Sequence, residues 1–452
     1  MDKKVVILGG GESGVGAAIL AQKKGFLVFL SDNGFIPSIH KQTLTEYGIS
    51  YEEGRHSSEL ILDSQEVIKS PGIPDNAPLI LQIKEKNIPV ISEIEFAIRY
   101  TKAKIIGITG TNGKTTTTLL THHLLKEAGL NVGLTGNVGY SLAKQVALED
   151  KEYYVVELSS FQLDGMFKSK LHVAVLLNIT PDHLNRYDYD FNKYAASKFR
   201  IIRNMRKEDF FIFNAGDPAI SEQLEKSQSN VKMLPVSIEK TQNRGAWLTN
   251  KYLVFAEGDQ LKQIAKTSLT LHGKHNMINS MTAIQSARAV GVSWENIQKA
   301  LKTFKNAPHR LEYSGSINEI AFYNDSKATN VDAVWYALES FDVPLVLILG
   351  GVDKGNDYTQ IDELVKKRVK AIVALGIDNT KIIKHFGEYH SDISSVDSIF
   401  TAVEIAHHKA APGEVVLLSP ACASFDLFKN YEERGTRFKE AIAALKSKLT
   451  GS

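Results

Sequence analysis

Short unbroken apolar runs recur along this chain, each closed by glycine or a small polar residue, and most lead into a stretch with helical spacing. Val5–Leu8 reads as a buried strand, Gly9–Gly14 as a turn and Val15–Lys24 as a helix; Leu27–Leu30 is the next strand, ending at Asp32. Glu66–Lys69, closed by Ser70-Pro71-Gly72, and Pro89–Ile91 continue the pattern. Strands alternating with helices predict a parallel sheet with covered faces, an α/β fold.

A second block starts at the strand Ile105–Ile108 and adds strands at Tyr153–Glu157, Val173–Asn178 and Phe210–Asn214. From about Asn230 to Leu271 the chain turns more polar, with short alternating segments, and reads as a small mixed β insertion; Asn276–Val290 follows as an amphipathic helix with Asn279 and Ser280 in its first turns. A third block from near Asn306 holds strands at Val343–Leu349, Val369–Leu375 and Val415–Leu418. The expected domains are residues 1–102, 103–305 and 306–452.

A chain of 452 residues is too long for one hydrophobic core, which agrees with several domains. A formal charge of +2 disfavours a nucleic-acid partner. The single cysteine, Cys422, suits a reducing compartment, and no segment approaches a membrane span. The apolar run at the start is too short for a signal peptide. The expectation is a cytoplasmic protein that handles small molecules as a monomer, without a membrane partner.

The most informative segment is Ile105-Ile106-Gly107-Ile108-Thr109-Gly110-Thr111-Asn112-Gly113-Lys114-Thr115-Thr116. A strand, a glycine turn and a Lys-Thr opening a helix form a phosphate cradle. Its backbone N–H groups face the anion, the lysine offsets β/γ charge and a threonine hydroxyl can meet Mg²⁺. Ile108 stands where the usual G-x-x-x-x-G-K-[ST] pattern has its first glycine, so the loop is a compact variant. Upstream, Gly9, Gly11 and Gly14 fit G-x-G-x-x-G, with Asp32 at the end of the following strand. That pattern admits a nicotinamide cofactor, another nucleotide diphosphate or a purely structural turn; a helix N-terminus holds any diphosphate. A phosphate loop in the next domain favours the second reading.

Glu157 and His183 both end strands of the central block and should reach the edge that carries the phosphate loop. One carboxylate beside phosphates is the usual pattern for Mg²⁺. Imidazole is a less usual ligand that suits a site where phosphates and carboxylates already supply most of the charge; the alternative for His183 is a loop histidine satisfied by Asp182 or solvent. Lys198, on a helix after Asp190, reads by pattern alone as a solvated lysine.

Taken in order, Thr109–Thr116, Glu157-Leu158-Ser159-Ser160-Phe161-Gln162, Asn178-Ile179-Thr180-Pro181-Asp182-His183, Gly273-Lys274-His275-Asn276, Pro308-His309-Arg310-Leu311-Glu312, Asn324-Asp325-Ser326-Lys327-Ala328-Thr329-Asn330 and Ser419-Pro420-Ala421-Cys422-Ala423-Ser424-Phe425-Asp426 resemble the Mur ligase family over essentially the whole chain. The segment from Asp325 to Asn330 differs from that of sister ligases and folylpolyglutamate synthetases and points to D-glutamate as the amino acid added.

The resemblance implies a UDP-binding Rossmann-like N-terminal domain, a central P-loop ATPase domain with a mostly parallel sheet, and a Rossmann-like C-terminal domain. It implies an ATP-dependent ligase with UDP-N-acetylmuramoyl-L-alanine and D-glutamate as substrates and two Mg²⁺ ions as cofactors. Gly110, Thr111, Asn112, Gly113, Lys114, Thr115 and Thr116 would hold the ATP phosphates, with Thr115 also on the metal. Glu157 would bind one Mg²⁺ and His183 the other, and Lys198 matches a lysine that CO₂ converts to a carbamate. Asn276 would contact adenine, Arg310 the γ-phosphate and Asp325 the ribose. Gly11, Ser13, Asp32 and Ser70 would take the UDP part; Asn137, Ser159 and Gln162 would face the muramoyl part. Lys327, Thr329, Lys354, Ser424 and Tyr431 would bind D-glutamate. Lys114, His183, Lys198 and Arg310 would carry the catalysis. Two departures stand out: Asn33-Gly34 where the family often has Thr-Arg, and Tyr431 where it often has Phe.

Overall fold

The computed structural model describes residues 3–240, 244–271 and 273–451. They form three sheets. The first contains β1 (Lys4–Leu8), β2 (Leu27–Asp32), β3 (Ser50–Glu53), β4 (Glu66–Lys69) and β5 (Val90–Ile91) in the order β3-β2-β1-β4-β5, with every pairing parallel. The chain winds outward from β1 in both directions, so the carboxyl end of β1 lies at the switch point where a parallel sheet leaves a crevice for ligands.

The second sheet contains β6 (Lys104–Thr109), β7 (Val132–Gly136), β8 (Tyr153–Glu157), β9 (Val173–Leu176), β10 (Phe210–Asn214), β11 (Lys232–Ser237), β12 (Gly245–Leu248), β13 (Tyr252–Glu257) and β14 (Gln260–Ala265). Their order is β14-β13-β12-β11-β10-β9-β6-β8-β7. The segment expected as a separate β insertion is instead the continuation of this sheet. β11 pairs parallel with β10, and β12 to β14 add an antiparallel edge. β13 carries a buried apolar run of its own at Leu253–Phe255, whereas the edge strand β14 is exposed along most of its length, which is why the segment as a whole looks more polar than β8 and β9. Residues 241–243, within that segment, lie outside the described residues.

The third sheet contains β15 (Glu312–Ile317), β16 (Ile320–Asn324), β17 (Leu345–Gly350), β18 (Val369–Leu375), β19 (Ile393–Val396) and β20 (Val415–Ala421) in the order β15-β16-β20-β17-β18-β19. Only the β15–β16 hairpin is antiparallel.

Two compact units result: Met1–Thr270 with Met277–Phe304, and Leu271–Asn276 with Lys305–Ser452. The first two sheets thus share one unit. A continuous buried cluster runs from Val5, Ile7 and Ile19 through Ile94, Phe96, Leu142 and Ala143 to Tyr154 and Phe211. The helix Glu12–Lys23 packs against the helix Leu142–Leu148, where a Cβ on Gly16 would lie 2.1 Å from Ser141 Oγ. Glu93 joins the same seam, accepting hydrogen bonds from Ser141 Oγ (2.8 Å) and the Ala143 amide (2.5 Å). Among the described residues no helix is long and apolar enough to cross a membrane.

Candidate active site

β6 ends at Thr109 and the helix Lys114–Glu127 begins after four intervening residues, a turn of the kind that forms a phosphate nest. Gly110 has φ +154° and a Cβ there would lie 2.9 Å from Leu177; Gly113 has φ +82° and a Cβ would strike Asn279 Oδ1 at 2.5 Å. Both positions therefore require glycine. The side chain of Asn178, just past β9, clamps the turn twice: its Oδ1 accepts from the Asn112 amide (2.8 Å) and its Nδ2 donates to the Asn112 carbonyl (3.1 Å). Thr111 is tied to the same segment, donating from Oγ1 to the Thr180 carbonyl and accepting from the Thr180 amide, both at 3.0 Å. A loop held at this many points is set before any ligand arrives, so binding costs little ordering.

Lys114 Nζ donates to the carbonyls of Gly110 (2.8 Å) and Thr111 (2.7 Å). Lys198 Nζ donates to the same Gly110 carbonyl at 2.8 Å. Lys198 is not the solvated helix lysine that its pattern suggested: it is 2 % exposed, on the helix Phe191–Phe199, with its ammonium over the Tyr194 ring. Burial first, and then the charge of Lys114, hold its pKa well below the ordinary lysine range, against the pull of Asp182, Asp164 and Glu157. Lys198 is therefore a buried lysine beside the phosphate turn whose charged form is disfavoured.

Glu157 ends β8 in register with Ile108 of β6, so the two strands deliver it to the loop's edge of the sheet. It is 2 % exposed. Oε1 accepts from Asn137 Nδ2 at 3.2 Å, while Oε2 is buried with no partner among the described residues. A buried carboxylate oxygen left unsatisfied is costly unless a cation completes it, so this atom fits a metal. His183 caps a short 3₁₀ turn with φ +53°, its side chain half exposed, Nε2 3.6 Å from Asp182 Oδ2 and its ring edge-on to Phe161. The Asp182 partner foreseen for a plain loop histidine is present, and the exposure leaves the ring accessible to a ligand. Thr115 and Thr116 are buried in the first turn of the loop helix. No group of three or more His, Cys, Asp or Glu side chains among the described residues is placed to hold a metal alone.

At the first sheet, Gly14 packs so closely under the turn that a Cβ would fall 1.8 Å from the Gly9 carbonyl oxygen. Gly11 has open space where a side chain would be, and Ser13 follows in the first turn of the helix Glu12–Lys23. Asp32 spends both oxygens on backbone: Oδ2 accepts from the Gly10 amide (2.6 Å) and Oδ1 from the Gly34 amide (2.7 Å). Its carboxylate shapes the glycine turn. Ser70 touches Gly9 from the next strand. Asn137 follows β7 and reaches Glu157; Ser159 and Gln162 form a capping box on the helix Ser160–Asp164, so their polar atoms already pair with each other.

The remaining candidates belong to the second unit. Asp325, after β16, is fully buried and pushed up to about 7 by desolvation, opposed by Arg310 and by hydrogen bonds from Ser419 Oγ (3.0 Å) and the Leu311 amide (3.2 Å). Arg310 carries a buried Nε without a hydrogen-bond partner among the described residues, a donor left for an incoming acceptor. Asn276 is 6 % exposed in the first turn of the helix Lys274–Ala289. Lys327 has its ammonium over the Tyr431 ring, at 5.4 Å. Thr329 is half-buried three residues before the helix Val331–Glu339 starts its second position, Ser424 is buried, and Lys354 is exposed on a turn fixed by Asp353, whose Oδ1 accepts from the amides of Gly355 and Asn356 and from Lys381 Nζ.

Three family models cover most of the chain: "Mur ligase MurD-like, N-terminal domain" over residues 3–92, "Mur ligase middle domain" over 108–287 and "Mur ligase, glutamate ligase domain" over 309–422. The chain belongs to the Mur ligase family. Among curated relatives, UDP-N-acetylmuramoylalanine–D-glutamate ligase of Cytophaga hutchinsonii is 51 % identical, across 98 % of this chain and all of the relative. The enzyme of the same name from Porphyromonas gingivalis is 51 % identical over 98 % of both. Among solved structures, a pseudomurein peptide ligase type C from Methanothermus fervidus superposes with a TM-score of 0.62 at 20 % identity, over 98 % of this chain and all of that one. UDP-N-acetylmuramate–alanine ligase from Thermotoga maritima gives 0.61 at 19 %, with the same coverage. At those identities the likeness establishes the three-domain α/β fold.

Sequence reasoning on this Mur ligase gives no role to several residues that build or brace these sites. Asn178 opens the Asn178–His183 motif and holds the phosphate turn, a role its spacing does not show. Asn279 packs on Gly113, and the run of buried polar residues Asn276, Asn279, Ser280, Thr282, Gln285 and Ser286 along one helix was the available signal. Arg434, 1 % exposed, ties Ser326, Gly350 and Cys422 together, and a buried arginine cannot be told from a surface one by spacing alone.

Proposed function

We infer that this Mur ligase joins the L-alanine carboxyl of UDP-N-acetylmuramoyl-L-alanine to the amine of D-glutamate, converting ATP to ADP and phosphate, in building peptidoglycan precursors. The choice of amino acid rests on relatives half identical over the full length that bear that name. The chemistry rests on one observation above all: a buried Glu157 oxygen without a partner among the described residues, at the same sheet edge as a pinned phosphate loop.

Carboxylate and amine do not condense unaided in water, because carboxylate oxygen is a poor leaving group. Transfer of the γ-phosphoryl to the alanine carboxylate breaks the bond to the β-phosphate oxygen and gives an acyl phosphate plus ADP. The neutral amine of D-glutamate then adds to the carbonyl carbon, the tetrahedral adduct expels phosphate, and the amine proton is lost. The first step drives an anion against a polyanion. Lys114, leaving the loop carbonyls for the phosphates, and Arg310, with its open Nε, offset that repulsion.

Magnesium, when bound, supplies charge neutralisation and orients the phosphoryl oxygens. Glu157 and Thr115 would hold one ion and His183 a second, with phosphates and waters completing each shell, which is how Mg²⁺ usually binds. Lys198 would serve the second ion as a carbamate: its neutral amine adds to CO₂, forms an N–C bond and sheds a proton, leaving an anionic oxygen pair. Its depressed pKa and the cation beside it favour that change of sign. Asn276 and Asp325 would take adenine and ribose; Lys327, Thr329, Lys354 and Ser424 would pair with the two carboxylates of D-glutamate beside Tyr431. Gly11, Ser13 and Ser70 would line the diphosphate, and Asn137 the muramoyl part. The enzyme acts as a cytoplasmic monomer in this reading.

The test is an amino-acid panel with UDP-N-acetylmuramoyl-L-alanine, Mg²⁺ and ATP, measuring phosphate release. D-glutamate alone should support turnover. Release that depends on a different amino acid would move the chain to another branch of the family, and folate in place of the UDP-sugar should bind nothing.

A further inference from the structure

Three residues beyond His183, at the end of its 3₁₀ turn Leu184–Arg186, Arg186 reaches from the second sheet to the first. Its Nη1 donates to the Gly72 carbonyl (3.3 Å), and Nη2 donates to the carbonyls of Pro71 (3.4 Å) and Ile73 (3.3 Å). The guanidinium lies 4.3 Å above the Phe161 ring, and that ring meets His183 edge-on at 5.3 Å. Phe161 belongs to the helix Ser160–Asp164, which starts three residues after Glu157. The Arg186 amide also closes its own turn on the His183 carbonyl, at 2.9 Å.

The accepting carbonyls are those of one tight loop. Its first residue, Ser70, touches Gly9 of the diphosphate turn; Ser70 O accepts from the Ile73 amide (3.1 Å), and Lys69 Nζ donates to the Ile73 carbonyl (2.7 Å). One planar cation therefore joins the loop beside the glycine turn, the helix that follows Glu157 and the turn that carries His183. Arginine suits this because its fork spreads several donors in one plane while its face stacks on an aromatic ring; lysine cannot do both.

We propose that Arg186 is a positioning residue of the ligation reaction. It fixes the distance between the place where the UDP end is anchored and the place where the carboxylate meets the γ-phosphate. The inference rests on the functional reading above, since Ser70 and His183 take their roles from it. The substrate is held at its diphosphate by the first sheet and reacts at its far end over the second. A slack joint between the two sheets leaves binding of UDP intact and misplaces the reacting carboxyl. A misplacement of about 1 Å is enough to cost on the order of 10²-fold in rate.

The test compares wild type, R186A, R186K and F161L. For R186A we expect kcat to fall on the order of 10²-fold while the ATP KM and the Kd of UDP for metal-free enzyme, read by calorimetry, stay within about threefold. R186K should recover part of the loss, and F161L should show a smaller fall in the same direction, which keeps the test open if R186A does not fold. Unchanged kcat in R186A overturns the proposal. A joint shift of UDP affinity, ATP KM and melting temperature also overturns it, because that marks a general brace. Wild-type enzyme that binds UDP but forms no ADP with both substrates would instead strike the ligase reading itself, a result visible before any variant is made.

Discussion

Glu157→Gln separates a metal ligand from a structural carboxylate. The substitution keeps the side chain's length and leaves an amide oxygen to accept from Asn137 Nδ2, the bond Oε1 makes at 3.2 Å. What it removes is the carboxylate at the buried Oε2, which has no hydrogen-bond partner among the described residues. A buried polar group without a partner costs about 1–3 kcal/mol, more when charged. Removing that charge should therefore leave the metal-free protein equally stable or more stable, with a melting temperature unchanged or raised by roughly 2–4 °C per kcal/mol. Activity should move the other way. Loss of one contact to charge that develops in the transition state commonly costs about 10²–10³ in kcat, or roughly 2.7–4 kcal/mol. The assay is ADP formation at saturating substrates over a Mg²⁺ titration, beside a thermal melt in chelator. A variant within threefold of wild type, or one that melts well below it in chelator, would refute the metal-ligand argument.

Other outcomes follow from the same geometry. Lys198→Ala should lose most activity and regain part of it with added short carboxylates, whereas wild type freed of CO₂ should be slow until bicarbonate is restored; a CO₂-indifferent wild type counts against the carbamate. Asp325, raised to about 7 in the folded state, binds its proton more tightly there than in the unfolded chain. Its contribution to stability is thus full below the ordinary carboxylate range and fades as pH rises toward and through 7; Asp325→Asn should flatten that fall in a pH series of denaturation curves. Gly14→Ala, whose Cβ would meet the Gly9 carbonyl at 1.8 Å, should abolish UDP binding measured by calorimetry.

Much of the fold was legible because its parallel strands are buried on both faces and so read as plain apolar runs. Val369–Leu375 is found at the same bounds in sequence and structure, and Tyr153–Glu157 likewise. Edge elements were not legible. Ser50–Glu53 is polar and half-buried, and Val132–Gly136 holds two glycines, so neither shows a strand's signature. The antiparallel β13–β14 edge read as an insertion because β14 is exposed along most of its length and so lacks an apolar run. The phosphate loop announced itself through glycines that the backbone requires. Lys198 did not: the Tyr194 ring lies one turn back on its own helix, but the Gly110 carbonyl that its ammonium meets is 88 positions upstream, and the spacing does not show that contact. Arg186 was hidden for the same reason: its three acceptors lie more than a hundred positions upstream.

The central claim is that ATP activates the alanine carboxylate by phosphorylating it. The direct measurement uses UDP-N-acetylmuramoyl-L-alanine carrying heavy oxygen in that carboxylate, with ATP, Mg²⁺ and D-glutamate, and reads the released phosphate by mass spectrometry. One heavy oxygen should pass to each phosphate, because the carboxylate oxygen attacks phosphorus and leaves with it. Phosphate without the label, formed alongside the new amide, would contradict the account.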